Sequence, residues 1–228
     1  MKLSTLFGAT AVSAALLLTG CSNSELKEQT SGFLTSYDNL EEKDGVEHTK
    51  MYIAKDADFT KYENIYVAPV QIISQTAQKN LTTEQVELHA AISTYLTDGY
   101  IKNLQKNKVY TLVQDKNTPN TLVFEAAISA VAINYDDLSW YQYTPITLAV
   151  TGVARASFVS GNVRVLGEGR FTDSDTSEVL MRAVSLQKGE EVKTAADKLT
   201  LKDVKPALDA WLKRIDKNLV NLNNGSLK

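Results

Sequence analysis

The chain has 228 residues, 43% of them hydrophobic and 22% charged, with a formal net charge of −3. That length buries one sizeable core, and the apolar and charged fractions exclude a disordered chain and a protein with several membrane spans. Mild acidity argues against nucleic acid as the main partner, and one Cys with two His leaves little for metal or thiol chemistry.

Residues 1–20 (MKLSTLFGATAVSAALLLTG) begin with a single positive charge at Lys2, and residues 6–18 are apolar or small throughout. About thirteen such residues are too few to cross a bilayer core, which takes about twenty, but they suit the apolar region of a secretory signal. Leu18-Thr19-Gly20-Cys21 follows, and with it the segment resembles a bacterial lipoprotein signal and its lipobox. The resemblance implies cleavage between Gly20 and Cys21 and a diacylglyceryl thioether on Cys21. Cys21 is the only cysteine, so no internal disulfide competes for its thiol. Several acyl chains at one end make a stable anchor, at roughly 0.8 kcal/mol per buried CH₂. Ser22 stands where an Asp would signal inner-membrane retention, so the expected location is the outer membrane, facing the periplasm. Residues 21–31 read as the acylated Cys and a flexible polar tether.

Residues 32–222 read as a single α+β domain, and residues 223–228 as a frayed tail. Residues 64–73 (NIYVAPVQII) suit a buried strand, which Pro69 assigns to an edge or a bulge. Thr82-Thr83-Glu84-Gln85 fits a capping box. Behind it Leu88, Ile92, Leu96, Tyr100 and Leu104 fall at helical spacing, predicting a helix over residues 83–106. A short strand is expected over 109–113. Period-two alternation then predicts strands over 122–133, where Leu122, Phe124, Ala126 and Ile128 share a face, and over 146–159. Strands over 163–171 and 179–186 flank the turn-forming run 172–177 (TDSDTS) and form a hairpin. Val204, Leu208, Trp211, Ile215, Leu219 and Leu222 line one stripe of a final helix, with Asp209, Lys213, Arg214 and Lys217 off it. Pro206 is tolerated only in the first turn, which sets the helix start near Asp203. The sum is a two-layer sandwich: an antiparallel or mixed sheet of about five to six strands, with two helices packed on one face.

Several pieces together resemble a bacterial lipoprotein family known as domain of unknown function 3313. They are Ser31-Gly32-Phe33-Leu34 with Tyr37 and Leu40, Tyr66-Val67-Ala68-Pro69-Val70, Tyr110-Thr111-Leu112-Val113, residues 168–180 (EGRFTDSDTSEVL), and Trp211. Ser177 departs from the Gly expected in the hairpin. The resemblance implies a location and a domain type, and brings no reaction, ligand or catalytic residue. The order of elements is also similar to small periplasmic lipoprotein modules that assist envelope assembly, which is likeness of fold and not of function.

His48 and His89 lack any metal-ligand spacing around them, and no G-x-S-x-G elbow supports a hydrolase triad. Residues 173–178 superficially suggest a calcium loop, but Glu178 and Val184 stand where an EF-hand needs Gly and Glu. Asp56, Asp58, Asp136 and Asp137 read as solvated loop acids. No enzyme, metal or cofactor is expected. Trp140, Tyr141 and Tyr143 form the most unusual cluster, read either as a loop folded over one end of the sheet with its rings packed or as a surface for a sugar, a membrane interface or a protein partner. Strand parity gathers Arg155, Arg164 and Arg170 with Glu125, Glu168 and Arg182 opposite the apolar faces. These residues make either cross-strand salt-bridge ladders on a solvated sheet or a candidate open face for an anionic partner. The expected function is a non-catalytic protein-interaction or envelope-assembly module that binds another envelope protein. The alternative is a glycan- or lipid-binding module using Trp140, Tyr141 and Tyr143.

Overall fold

The computed structural model describes residues 30–42, 48–73, 80–134, 159–194 and 198–224. Gly20, Cys21, residues 146–158 of the strand expected over 146–159, Trp140, Tyr141, Tyr143 and Arg155 lie outside the described residues.

Three long strands make the centre of a mixed sheet: β6 (Thr121–Asn134), β7 (Val159–Asp173) and β8 (Val179–Thr194), antiparallel in sequence order. On one side β2 (Thr49–Ile53) pairs antiparallel with β8, and β1 (Glu41–Glu42) closes that edge. On the other side β3 (Asn64–Val67) and β4 (Gln71–Ile72) both run parallel to β6, and β5 (Thr111–Leu112) is the far edge beside β3. The helices α1 (Thr83–Asn107) and α2 (Leu201–Asn223) bury their stripes in one core with the sheet. The architecture is the expected α+β class, with eight strands among the described residues, more than foreseen. The additions are β1 and β2, too short to show a pattern, and the division of residues 64–73 into two strands.

Pro69 causes that division at an edge, as expected: β5 pairs only with Asn64 and Ile65, and beyond them β6 is the sole neighbouring strand among the described residues. Ala68 and Ile73 keep the parallel ladder on either side, donating to the carbonyls of Phe124 and Ile128. In the gap, α1 supplies the missing partners. The Thr97 hydroxyl accepts from Val70 N–H at 3.0 Å, and the Ser93 hydroxyl donates to Val70 C=O at 2.6 Å.

Helix α1 begins as predicted: Gln85 N–H donates to the Thr82 hydroxyl, and Thr82 N–H to the Gln85 side chain. Its buried residues are the five expected. Helix α2 starts earlier than expected, at Leu201, because the Asp203 carboxylate accepts from both the N–H and the hydroxyl of Thr200. Pro206 therefore sits in the second turn, where its missing N–H withdraws one partner from the helix ladder. In β6 the register shifts between Ile128 and Ala130. That bulge inverts strand parity, so Ala126 and Ile128 face the helices before it and Val131 after it.

Four rings run through the core. Tyr100 meets Phe124 edge-on at 5.0 Å, Phe124 stacks on Phe171 at 4.9 Å, and Phe59 meets Phe171 edge-on at 6.1 Å. Trp211 lies directly over Gly167, where a Cβ would come within 1.7 Å of the indole.

The β7–β8 hairpin is tied by Asp173. Its carboxylate accepts from Tyr62 OH (2.6 Å), Lys61 Nζ (3.1 Å) and the backbone N–H groups of Asp175 and Thr176. Burial opposes the charge, yet the hydrogen bonds from Tyr62, Thr176 and Lys61 outweigh it and hold this carboxyl well below the usual carboxylate range. Ser177, where Gly was expected, has φ +61°, in the left-handed region that glycine occupies without strain.

Two outcomes follow from this turn. Ser177→Gly should raise stability by about 1 kcal/mol, measured as a higher denaturant midpoint with unchanged slope. Because the folded state depresses the Asp173 pKa, its contribution is full above about pH 4 and is lost as pH falls below that. Asp173→Asn should cost about 2 kcal/mol at neutral pH and flatten the acid limb of a stability–pH curve.

Candidate functional site

The sheet face opposite the helices is not open around Arg170. Residues 31–40 cross it as a strap before entering β1. Phe33 and Leu34 are buried against Ala127, with Tyr37, Leu40, Ile73 and Val184 packed around them. Gly32 turns the chain at the start of the strap with φ +80°.

The charged residues predicted for this face hold the strap in place. Arg170 donates Nε to Glu125 at 2.7 Å and Nη1 to the Phe33 carbonyl at 3.1 Å, with its guanidinium 5.2 Å from the Phe33 ring centre. Arg182 donates to the carbonyls of Ser36 (2.7 Å) and Asp38 (3.3 Å), and its guanidinium lies over Tyr52. Tyr37 OH donates to Glu168 at 2.6 Å and meets the Ser31 hydroxyl at 2.8 Å. Burial raises the Tyr37 pKa, and the hydrogen bond to Glu168 adds to the effect. Glu168 itself is 2% exposed. The structure thus brings Glu125, Glu168, Arg170 and Arg182 together as parity predicts, with Arg170 and Glu125 paired across the strands and the other partners supplied by the chain's own backbone and Tyr37. Arg164 shares this face and is also buried. The expectation of an uncovered face for an anionic partner is corrected at Arg164, Arg170 and Arg182.

A second feature was missed. Between α2 and strands β2, β6, β7 and β8 lies a cavity of about 60 Å³ with an almost wholly apolar lining. Phe171, Met181 and Leu222 line one part of it, and Ala126, Gly167, Gly169 and Ala183 form a floor of small residues. Thr49, Ser185 and Arg214 supply the polar lining. The hydroxyls of Thr49 and Ser185 are 2.8 Å apart, and Arg214 Nη1 donates to each at 3.1 Å. Gln187 joins through a 3.1 Å bond to Ser185. Arg214 reads from the sequence as lying off the apolar stripe, but it is half-buried and turned onto β2 and β8. The signal available was its position beside Trp211 and Ile215, with Asn218 one turn on.

The remaining candidates are dispersed. His89 is half-buried on α1, and burial lowers its pKa. His48 precedes β2, where its carbonyl accepts from Leu186. Asp58 caps a 3-10 turn, Phe59–Lys61, through Thr60. Among the described residues, no group of three or more His, Cys, Asp or Glu is placed to hold a metal.

The strap, the Asp173 turn and Trp211 all fall within residues 29–215, the span matched by the family model described as "Protein of unknown function (DUF3313)". The chain belongs to this family. Among curated proteins it is similar to the uncharacterized lipoprotein YdcL of Escherichia coli strain K12, 22% identical over 213 residues, covering 87% of this chain and 89% of the relative. Two solved structures show distant likeness. A PelC dodecamer from Paraburkholderia phytofirmans is 7% identical, with a TM-score of 0.40, over 76% of this chain and 96% of that one. A lipoprotein from Neisseria meningitidis is 9% identical, with a TM-score of 0.35, over 69% and 98%.

Arg182→Ala should leave two strap carbonyls without their charged donor and cost about 1.5–3 kcal/mol. Hydrogen exchange should show the loss first in the strap amides, which should exchange faster while those of β6 and β7 stay protected.

Proposed function

We propose that this chain is a lipoprotein, cut after Gly20 and acylated on Cys21, whose folded body faces the periplasm from the outer membrane and serves as a non-catalytic module that binds another envelope protein. Membership of the family and the curated lipoprotein relative support the anchored part of this reading.

The observation that carries it is the docked strap. Its first hydrogen-bonded side chain, Ser31, follows Cys21 by only ten residues. Ten residues span at most about 36 Å, so an acylated Cys21 keeps the body within that distance of the lipid surface. The non-catalytic part rests on the two carboxylates buried among the described residues, Glu168 and Asp173. Each already accepts hydrogen bonds that hold the fold together, from Tyr37 in one case and from Tyr62 and Lys61 in the other. Neither is disposed as a general acid or base.

Cells given radiolabelled palmitate should label the full chain and not the Cys21→Ala variant, and fractionation should move the variant from the membrane to the soluble fraction. Crosslinking in intact cells should capture a discrete envelope protein on the wild-type chain. An unlabelled, uncut chain recovered from the cytosol overturns the reading.

A further inference from the structure

We infer that residues 31–38 undock from the sheet as a unit while the sheet and helices stay folded, so that the strap is a movable cover with a closed and an open state. Its fastening is the first reason. Among the described residues, every hydrogen bond that holds residues 31–38 runs through a side chain, and no strand ladder fastens the segment. The first ladder pair after it is Glu41 with Met51, so undocking breaks no rung of the sheet. Left-handed residues also bracket the segment, Gly32 at φ +80° and Asn39 at φ +58°. Nothing lies within 4 Å of the place a Cβ would take at Gly32, so no packing resists rotation there. A few residues at the ends of a segment are where a hinge absorbs its change in φ and ψ.

The underside of the strap is the second reason. Toward the helices β7 turns Val163, Val165, Gly167, Gly169 and Phe171, the composition of a permanent core. Toward the strap the same strand turns Arg164, Leu166, Glu168 and Arg170. A lasting interface gains little from buried charge, since apolar residues of similar volume often replace it with no loss of stability. Charge serves a face that must at times meet water. The body, moreover, holds two of these arginines from its own side. Arg170 has Glu125 at 2.7 Å and Arg182 lies 4.4 Å from the centre of the Tyr52 ring. Neither Glu125 nor Tyr52 belongs to the strap, so both contacts survive its departure. Glu168 then exchanges the Tyr37 hydroxyl for water. The apolar groups of the strap that opening bares are Phe33 and Leu34.

Opening has a consequence that rests on the acylation of Cys21 proposed above. Freed as far as Asn39, the tether grows from ten residues to eighteen, and its greatest reach from about 36 Å to about 65 Å. Closed, the strap holds the body near the lipid surface; open, it lets the body stand off. The opening itself needs no lipid, so its failure and the failure of the anchor are separate results.

The full chain carrying Cys21→Ser has no thiol. Single cysteines are then placed at three buried positions: Leu34 in the strap, Ala127 beneath it, and Ala126, the neighbouring residue of β6 on the helix side. Alkylation by iodoacetamide is followed in the folded chain. Leu34→Cys and Ala127→Cys should react at rates equal within about twofold and at least about a hundredfold faster than Ala126→Cys, with a shallower dependence on urea. Both should still react more slowly than in the urea-unfolded chain. Ile92→Val, a core substitution on α1, should speed the reaction of Ala126→Cys about fivefold and leave the other two unchanged. Equal protection at all three positions, a common response to Ile92→Val, or unlike rates at 34 and 127 overturns the proposal. So does an unprotected thiol at 34 or 127, because no closed state then exists.

Discussion

Strand β7 is buried on both faces, and that double burial governs the rest of the structure. Its odd-numbered residues from Val163 to Phe171 turn to the helices, where Val163, Val165 and Phe171 join the main core and Gly167 receives the Trp211 ring. Its even-numbered residues Arg164, Leu166, Glu168 and Arg170 turn the other way, and the first three are almost wholly out of solvent. A buried carboxylate is tolerated only when hydrogen bonds replace its water. Glu168 obtains this from Tyr37. The strap is thus an integral layer of the fold, and its Phe33 and Leu34 cover what would otherwise be an apolar strip beside charged groups.

The two layers solve different problems. On the helix side, large residues pack over small ones, with Trp211 fixing how closely α2 approaches β7. On the strap side, arginines bind main-chain carbonyls, a recognition that depends on the path of the strap more than on its side chains. Substitutions at Ser36 or Asp38 leave those carbonyl acceptors in place, whereas loss of an arginine removes their donor.

The parts of this fold that repeat a local period were legible in the sequence. Alternation in β6, β7 and β8, the Thr82 capping box and the stripes of both helices all stand where periodicity and capping chemistry place them. The failures share a cause, because each depends on a contact distant in sequence. A single extra residue near Ser129 inverts the facing of β6 without any local mark. The strand expected over 64–73 divides at Pro69, where hydroxyls on α1 satisfy Val70. Helix α2 accepts Pro206 in its second turn because Thr200 and Asp203 set its start at Leu201, two residues earlier than expected. The charged face was correctly assembled from parity but wrongly left open, since nothing in strand alternation says that residues 31–40 return to cover it. Arg214 was assigned to solvent by its helical angle, while its length lets the guanidinium reach Thr49 and Ser185.

The strap also determines how the fold meets mechanical force. It is the first of the described segments, and it reaches the sheet at β1, whose two residues pair with β2. Tension applied from the N-terminal side is therefore felt first by Tyr37 on Glu168 and by the two guanidiniums on strap carbonyls. Only after those give way does the load pass to the edge ladder, and the long central strands stand behind both. The layer that shields the charged face is in this sense also the fuse of the structure.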